Sequence, residues 1–431
     1  MASVDVRDTV EILLDCNEKG EKLSRKFPAS IYMVPSILRD LSPSSFEPRV
    51  VSIGPLHRED KILKDFDEQK TLYLFRLLNR LVPSGSSPRQ TLNKCLHRVE
   101  TLITEIRNCY VGMNPYSDAE LAKMMVMDAC FILEFLFPSE ESENLIRGNI
   151  TLTSSIYQDL VLLENQIPFV VLQEIFDCTL STLFKVILTS AVLEKLKFLL
   201  PFSVIRYDGF DTKPNHILGL LQKSFHQSSH PTNVLTPQEF RKPSAVELDM
   251  AGVKFKGNEY GNEQIAIEHM SCWFPCFCRF WGHPTLTMPV MRIYDNTEQF
   301  LRNAIAYEQC TPDVPNCLTS YACALDFLVD DTKDVIKLVE SKVIINNLGS
   351  NEDAANMLNS IAKQVVLTQF YYIKQWEQLD TYMNAYWPKR IAQLRRTYFS
   401  SPWSFIALIA GIVLFALTIV QTIFTIKAAY K

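Results

Sequence analysis

DLVLLENQIPFVVL, residues 159–172, sets Glu164, Asn165 and Gln166 side by side in an apolar run, with Pro168 close behind. Polar groups of this kind cost roughly 2 kcal/mol or more each when buried without partners. Proline has no N–H and disfavours helical geometry at the residue before it, yet it suits the first turn of a helix. The stretch therefore predicts one helix ending near Gln166 and a second beginning at Pro168. The corner between them needs side chains that satisfy the orphan backbone groups of both helix ends, and the polar trio can supply them.

Helical spacing recurs on either side of this corner. LAKMMVMDACFILEFL (121–136) has apolar residues at 121, 124, 125, 132, 135 and 136, with Asp128 on the same stripe. A carboxylate there must find donors or shift its pKa. The same periodicity predicts helices over 66–81, 91–110, 331–344 and 351–367. VELDMAGVKFKG and TLTMPVMRIYD have strand-like composition or alternation and predict a small sheet beside the helices.

The chain has 431 residues, enough for two or three domain-sized cores. With 47% hydrophobic and 21% charged residues it is composed like an ordinary folded protein, and its net charge of -5 gives no field for capturing nucleic acid. No GxGxxG, GxxxxGK[ST], GxSxG or HExxH occurs, so the common phosphate cradles and nucleophile elbows are missing. Eleven cysteines without a CxxC pair point to a reducing compartment. The acidic N-terminus has no apolar h-region, which predicts that synthesis leaves the chain in the cytosol.

Phe405 to Ile426 is uncharged and matches the roughly 20 residues a helix needs to cross a bilayer. Lys389, Arg390, Arg395 and Arg396 precede it, with Trp387, Tyr398 and Trp403 as interface anchors, so the expected arrangement is a tail anchor with a cytosolic body. The basic residues would also favour anionic lipid. The expected organisation is an N-terminal segment (1–26), a helical part (27–205), a polar linker (206–245), a second helical part with short strands (246–400), the membrane helix (405–426) and a short tail (427–431). The expected fold class is mainly α, a multi-helix body with a small β element plus that C-terminal transmembrane helix. The sequon Asn149-Ile150-Thr151 would matter only in a lumenal body and is read as chance.

IYMVPSIL, FEPRVVSIGPLH, MMVMDACFILEFL, DLVLLENQIPFVVL, AVELDMAGVKFK, RNAIAYEQ, LGSNEDAANMLN and the C-terminal SPWSFIALIAGIVLFALTIVQTIF occur in one order. In these blocks, from about residue 27 to the end, the chain resembles the plant family known as domain of unknown function 247. The resemblance implies a plant protein, predominantly helical, with one C-terminal membrane segment. It carries no catalytic residues, because the family's activity is not established; one branch, in grasses, is linked to pollen–stigma self-incompatibility. The chain departs from the family pattern at EHMSCWFPCFCRFWGHPTLTMP, between Glu268 and Pro289.

Two constellations bear on chemistry. Cys272, Cys276, Cys278 and His283 offer four zinc-type ligands, but C-x3-C-x-C-x4-H is not a usual knuckle spacing and aromatics interleave it, so a packed or surface strand is the preferred reading. Asp128, Glu164 and Glu308, with Asn165, Asn303 and Gln309 in the same motifs, could serve acid–base hydrolysis or a structural polar network. Without a nucleophile–base pair, the network reading, with Asp159 and Gln166 included, is preferred. His226 and His230 read as solvated linker residues, and His57 as unremarkable after a Gly-Pro turn. The expectation is a protein-binding module that is not an enzyme, held to membrane lipid by its last helix, with an unidentified protein partner at 206–245 and 268–283. It has no cofactor, no metal, no nucleic acid and no evident small-molecule substrate; the alternative is a hydrolase using Asp128, Glu164 and Glu308.

Overall fold

The computed structural model describes residues 14, 29–82, 85, 87–113, 115–140, 142–143, 148–202, 213–225, 242–258, 265–269, 284–384 and 402–429. Helix α3 (Asp118–Leu136) is the hub of the N-terminal half, its buried residues running from Leu121 through Asp128 to Leu136 on nearly every side. It starts at a capping box, in which Ser117 Oγ accepts the Glu120 N–H while the Glu120 carboxylate accepts the Ser117 N–H. Around it pack α1 (Phe66–Asn79), α2 (Pro88–Thr101) and α5 (Phe169–Cys178). The Phe131 ring of α3 meets Tyr73 and Phe66 edge-on at 5.0 and 5.5 Å between centroids. Such pairs contribute about 0.5–1.5 kcal/mol beyond their buried area.

The helix expected over 91–110 breaks at Leu102, where φ -101 and ψ 0 separate α2 from a shorter helix at Ile103–Asn108. Helix α4 (Ile150–Asp159) stops well before Gln166, so the corner of the opening stretch is longer than expected. The reason lies downstream: the Asn165 amide takes the last carbonyl of α4, that of Asp159, the Gln166 amide takes those of Leu160 and Leu162 just beyond it, and Pro168 then stands as the N-cap of α5.

Helix α6 (Leu188–Leu196) is followed by α7 (Ile217–Ser224), whose Leu218, Leu220 and Leu221 lie in the core. Residues 206–212 and 226–241 of the expected linker lie outside the described residues. The second half begins with α8 (Ala245–Met250) and a sheet of β1 (Lys254–Asn258), β2 (Ala266–His269) and β3 (Pro284–Pro289) in the order β1-β3-β2, with β3 parallel to β1 and antiparallel to β2. Strand β4 (Met291–Ile293) pairs in parallel with β5 (Ile344–Asn346). Helices α9 (Thr297–Cys310), α10 (Cys317–Leu328), α11 (Thr332–Glu340), α12 (Asn351–Ile361) and α13 (Ile373–Asn384) complete this half. The helix expected to reach 344 ends at Glu340 because Lys342 turns at φ 58 and the chain enters β5. Buried apolar side chains from Ile31 to Met383 form one continuous cluster.

The mainly helical class with small sheet elements is observed, but the membrane span is corrected. Helix α14 (Pro402–Ala429) follows the body, yet among the described residues no helix is long and apolar enough to cross a membrane. A single-pass span needs roughly 20 continuous apolar residues, and the expected anchor at 405–426 is not supported, nor is the lipid-facing placement built on it. Lys389, Arg390, Arg395 and Arg396 lie outside the described residues.

Candidate functional site

Asp159 and Asn165 of the opening stretch converge on one partner, the segment 49–54, which belongs to no helix or sheet. Asp159 accepts the N–H groups of Arg49 at 2.9 Å, Val50 at 2.8 Å and Val51 at 2.9 Å. Asn165 Oδ1 accepts the Ile53 N–H at 2.7 Å, while its Nδ2 donates to Val51 O and Asp159 O, both at 3.0 Å. Asp128 Oδ2 accepts the Gly54 N–H at 2.8 Å. Its other oxygen lies 2.5 Å from Nζ of Lys70, which also donates to Ser52 O. Side chains thus do for this segment what a neighbouring strand does in a sheet.

Gln166 closes the corner from within, donating to Leu160 O at 2.7 Å and Leu162 O at 2.9 Å and accepting the Leu218 N–H at 3.2 Å. Its carbonyl accepts Tyr110 OH at 2.9 Å and stands 2.5 Å from where a Cβ on Gly54 would sit. Gly54 has φ +72, so glycine is required here both by the backbone conformation and by the close approach. Asn303 of α9 reaches into the corner, accepting the Leu163 N–H at 2.9 Å and donating to Ser45 O at 2.7 Å and Gln299 O at 2.8 Å.

Glu164 points to the other side of the corner. Its carboxylate accepts the Val34 N–H at 2.6 Å, pairs with Arg39, and lies 2.9 Å from His57 Nε2. Arg39 and His57 are 21% and 13% exposed, whereas Glu164 is sealed. Burial works to raise the Glu164 carboxyl, but the bonds from His57, Val34 and Arg39 together hold it below the usual range. At Asp159 the balance runs the other way: burial outweighs three N–H donors and pushes the carboxyl up to about 6.

Glu308 shares no bonding partner with the corner. From α9 its carboxylate reaches the first turn of α10, accepting the Leu318 and Thr319 N–H groups at 3.0 and 2.7 Å, Thr319 OH at 2.6 Å and Gln222 Nε2 at 2.7 Å. No cation faces it among these partners, and burial pushes its carboxyl up to about 7. Gln309 is half-buried and separate, bonded to Val366 N and O at 2.9 and 3.1 Å.

Sequence reasoning missed Lys70, Gly54, His216, Glu134 and Asp334. Lys70 carried a signal, since it falls in helical phase with Phe66, Tyr73 and Leu77 on the buried face of α1. His216 lies in the stretch read as linker, yet it is enclosed: Nδ1 accepts the Gly219 N–H at 3.0 Å, so Nε2 donates to Ser30 O at 3.0 Å, and burial drops its pKa to about 3. Glu134 holds the Ser139 N–H at 2.9 Å and Arg80 at 3.1 Å, and Asp334 gathers the N–H groups of Val246, Asp330 and Asp331. Each repeats the same device, a buried acid collecting loop amides. Cys272, Cys276, Cys278, His283, His226 and His230 lie outside the described residues. Among the described residues no group of three or more His, Cys, Asp or Glu could hold a metal ion.

A family model for domain of unknown function 247, described as a plant protein of unknown function, matches residues 31–417. The chain is 28% identical to the UPF0481 protein At3g47200 of Arabidopsis thaliana over 91% of its length and 85% of the relative's. It is 24% identical to the putative UPF0481 protein At3g02645 of the same plant, over 91% and 89%. No solved structure matches. The chain therefore belongs to the plant family of domain of unknown function 247, for which no activity is established.

Proposed function

We propose that the chain is a recognition module that binds another protein and carries out no chemistry of its own. The observation supporting this reading is the condition of the acids. Asp128, Asp159 and Glu164 are fully enclosed and Glu308 is 5% exposed, and each has its oxygens occupied by backbone amides, side-chain donors or a cation. A hydrolase built on Asp128, Glu164 and Glu308 would need at least one of them facing a cleft with a free lone pair.

The proposed contact surface is the polar stretch around 226–241 together with 268–283. Helix α7 is part of the core and is not part of that surface. Replacing 226–241 by a glycine–serine segment of equal length, in the full chain, leaves α7 in place. Proximity labelling in plant cells should then lose the partners found with the native chain. An unchanged set of labelled partners, from a variant that keeps its native melting temperature, would contradict the reading.

A further inference from the structure

The chain between α5 and α6 carries side chains that the fold itself does not use. Ile187 is the N-cap of α6, where Ser, Thr, Asp and Asn are favoured and isoleucine is among the poorest choices, and it makes no capping bond. It is 73% exposed, Val186 beside it is 49% exposed, and both lie outside any helix or strand. The N–H groups of Lys185, Val186 and Ile187 take no backbone partner among the described residues. A locally unfavourable residue with no compensating contact inside its own chain marks a position used for something else. The same residues border an open cleft of about 490 Å³, whose apolar lining includes buried Phe176 and Leu188 and half-buried Phe184. That lining is preformed: Phe137 stands 6.0 Å from Phe184 and 6.4 Å from Phe176 between ring centroids, and the Arg80 guanidinium lies 5.1 Å from the Phe184 ring centre. Two exposed charges edge the cleft. Asp177 bonds Gln173 Nε2 through Oδ1 at 3.0 Å, and Lys185 forms no ion pair with it or with any other acid among the described residues.

We propose that this face binds a second copy of the chain about a two-fold axis, with Ile187 of each copy entering the cleft of the other and Lys185 of each meeting Asp177 of the other. The choice of a second copy follows from self-complementarity. A projecting apolar side chain and an apolar recess lie in one patch, and so do one cation and one acid that are not paired with each other. The patch therefore supplies both halves of every contact it needs. In a two-fold interface residue i meets residue j of the other copy while j meets i, so two Asp177–Lys185 pairs form from a single patch. A partner surface of one charge sign would leave one of the two unmatched. The apolar groups supply the driving force, and the charged pairs fix the orientation. The face shares no residue with the stretches 226–241 and 268–283, so pairing of copies leaves those stretches to another protein.

The test is energy transfer between two batches of the full chain, one carrying a donor and the other an acceptor on an appended N-terminal tag, mixed over a range of concentrations. Expected is transfer that rises with concentration and saturates at two copies per complex. Ile187→Asp places a favoured N-cap residue at the start of α6, so the fold is kept while association weakens about tenfold or more. Lys185→Glu and Asp177→Lys each weaken association with their own kind. Mixed together, these two variants should associate more tightly than either does with itself, because both charged pairs are then restored with opposite signs. Association through any other apolar surface, α14 included, would not follow that pattern. Absence of transfer up to about 100 µM chain, between the micromolar and millimolar affinities of weak complexes, would overturn the proposal. So would transfer that Ile187→Asp and the charge reversals leave unchanged, or a different cell protein bound at this face while the chain stays monomeric. The mixed charge reversals decide the matter even if Ile187→Asp does not fold.

Discussion

Gly54 shows how little freedom single residues have at the corner. An added Cβ would lie 2.5 Å from Gln166 O on a backbone already at φ +72, so Gly54→Ala should lower stability by about 1–3 kcal/mol in a denaturant melt. Asp128 and Lys70 form a sealed ion pair in which each justifies the other. Asp128→Ala, which strands the buried ammonium, should cost about 3–5 kcal/mol, while Asp128→Leu combined with Lys70→Met should cost less than either single change. A strictly additive double-mutant cycle would contradict that coupling. Protonation follows from the same burial. The Glu308 carboxyl, raised to about 7, is protonated in the fold where the unfolded chain has already ionised, so its contribution to stability falls as pH rises from about 4.5 through about 7. His216 has the opposite sign: lowered to about 3, it is neutral in the fold, and its contribution falls as pH drops below about 6.5. Carboxylate and imidazole NMR titrations check both; Glu308 should have its midpoint near 7 and His216 should not titrate between pH 5 and 8.

Among the elements, the corner and the segment 49–54 depend on one another. Asn165 holds Ile53 N, Val51 O and Asp159 O, so Asn165→Leu takes away the bonds of Ile53 N and Val51 O at about 1–3 kcal/mol each before relaxation and leaves Asp159 O only the Leu162 N–H at 3.5 Å. Its expected effect on a urea midpoint is among the largest of any single substitution in the chain, and a shift equivalent to less than 1 kcal/mol would show that the segment is held otherwise. The corner was legible in the sequence because three adjacent polar residues and a proline in an apolar run have few physical explanations. Its length was not legible, because α4 is cut short by amides of Asn165 and Gln166 that bond backward to carbonyls, a tertiary choice that periodicity does not encode. Likewise α11 looked longer than it is, since the turn at Lys342 leads into a strand paired with distant β4.

Across the molecule, Asn303 links the halves, bonding α9 to Leu163 of the corner and to Ser45, while Gln166 ties the corner to α7 through Leu218 within the first half. Helix positions followed from apolar spacing, and Asp128 and Glu164 were singled out as needing partners. The partners themselves were not readable. Glu164 meets Val34, Arg39 and His57 across more than a hundred residues of chain, and Glu308, grouped with them by residue type, has a separate set of partners. The C-terminal anchor was inferred from hydropathy, flanking basic and aromatic residues and the family resemblance, and no helix among the described residues supports it. The claim that organises the rest is that the buried acids and amides act as a surrogate strand for residues 49–54. Native-state hydrogen exchange at Val50, Val51, Ile53 and Gly54 tests it most directly. These amides should exchange with opening free energies within about 1–2 kcal/mol of those in α3, as core hydrogen bonds do. Exchange at the rate of an open loop, while α3 stays protected, would contradict the account.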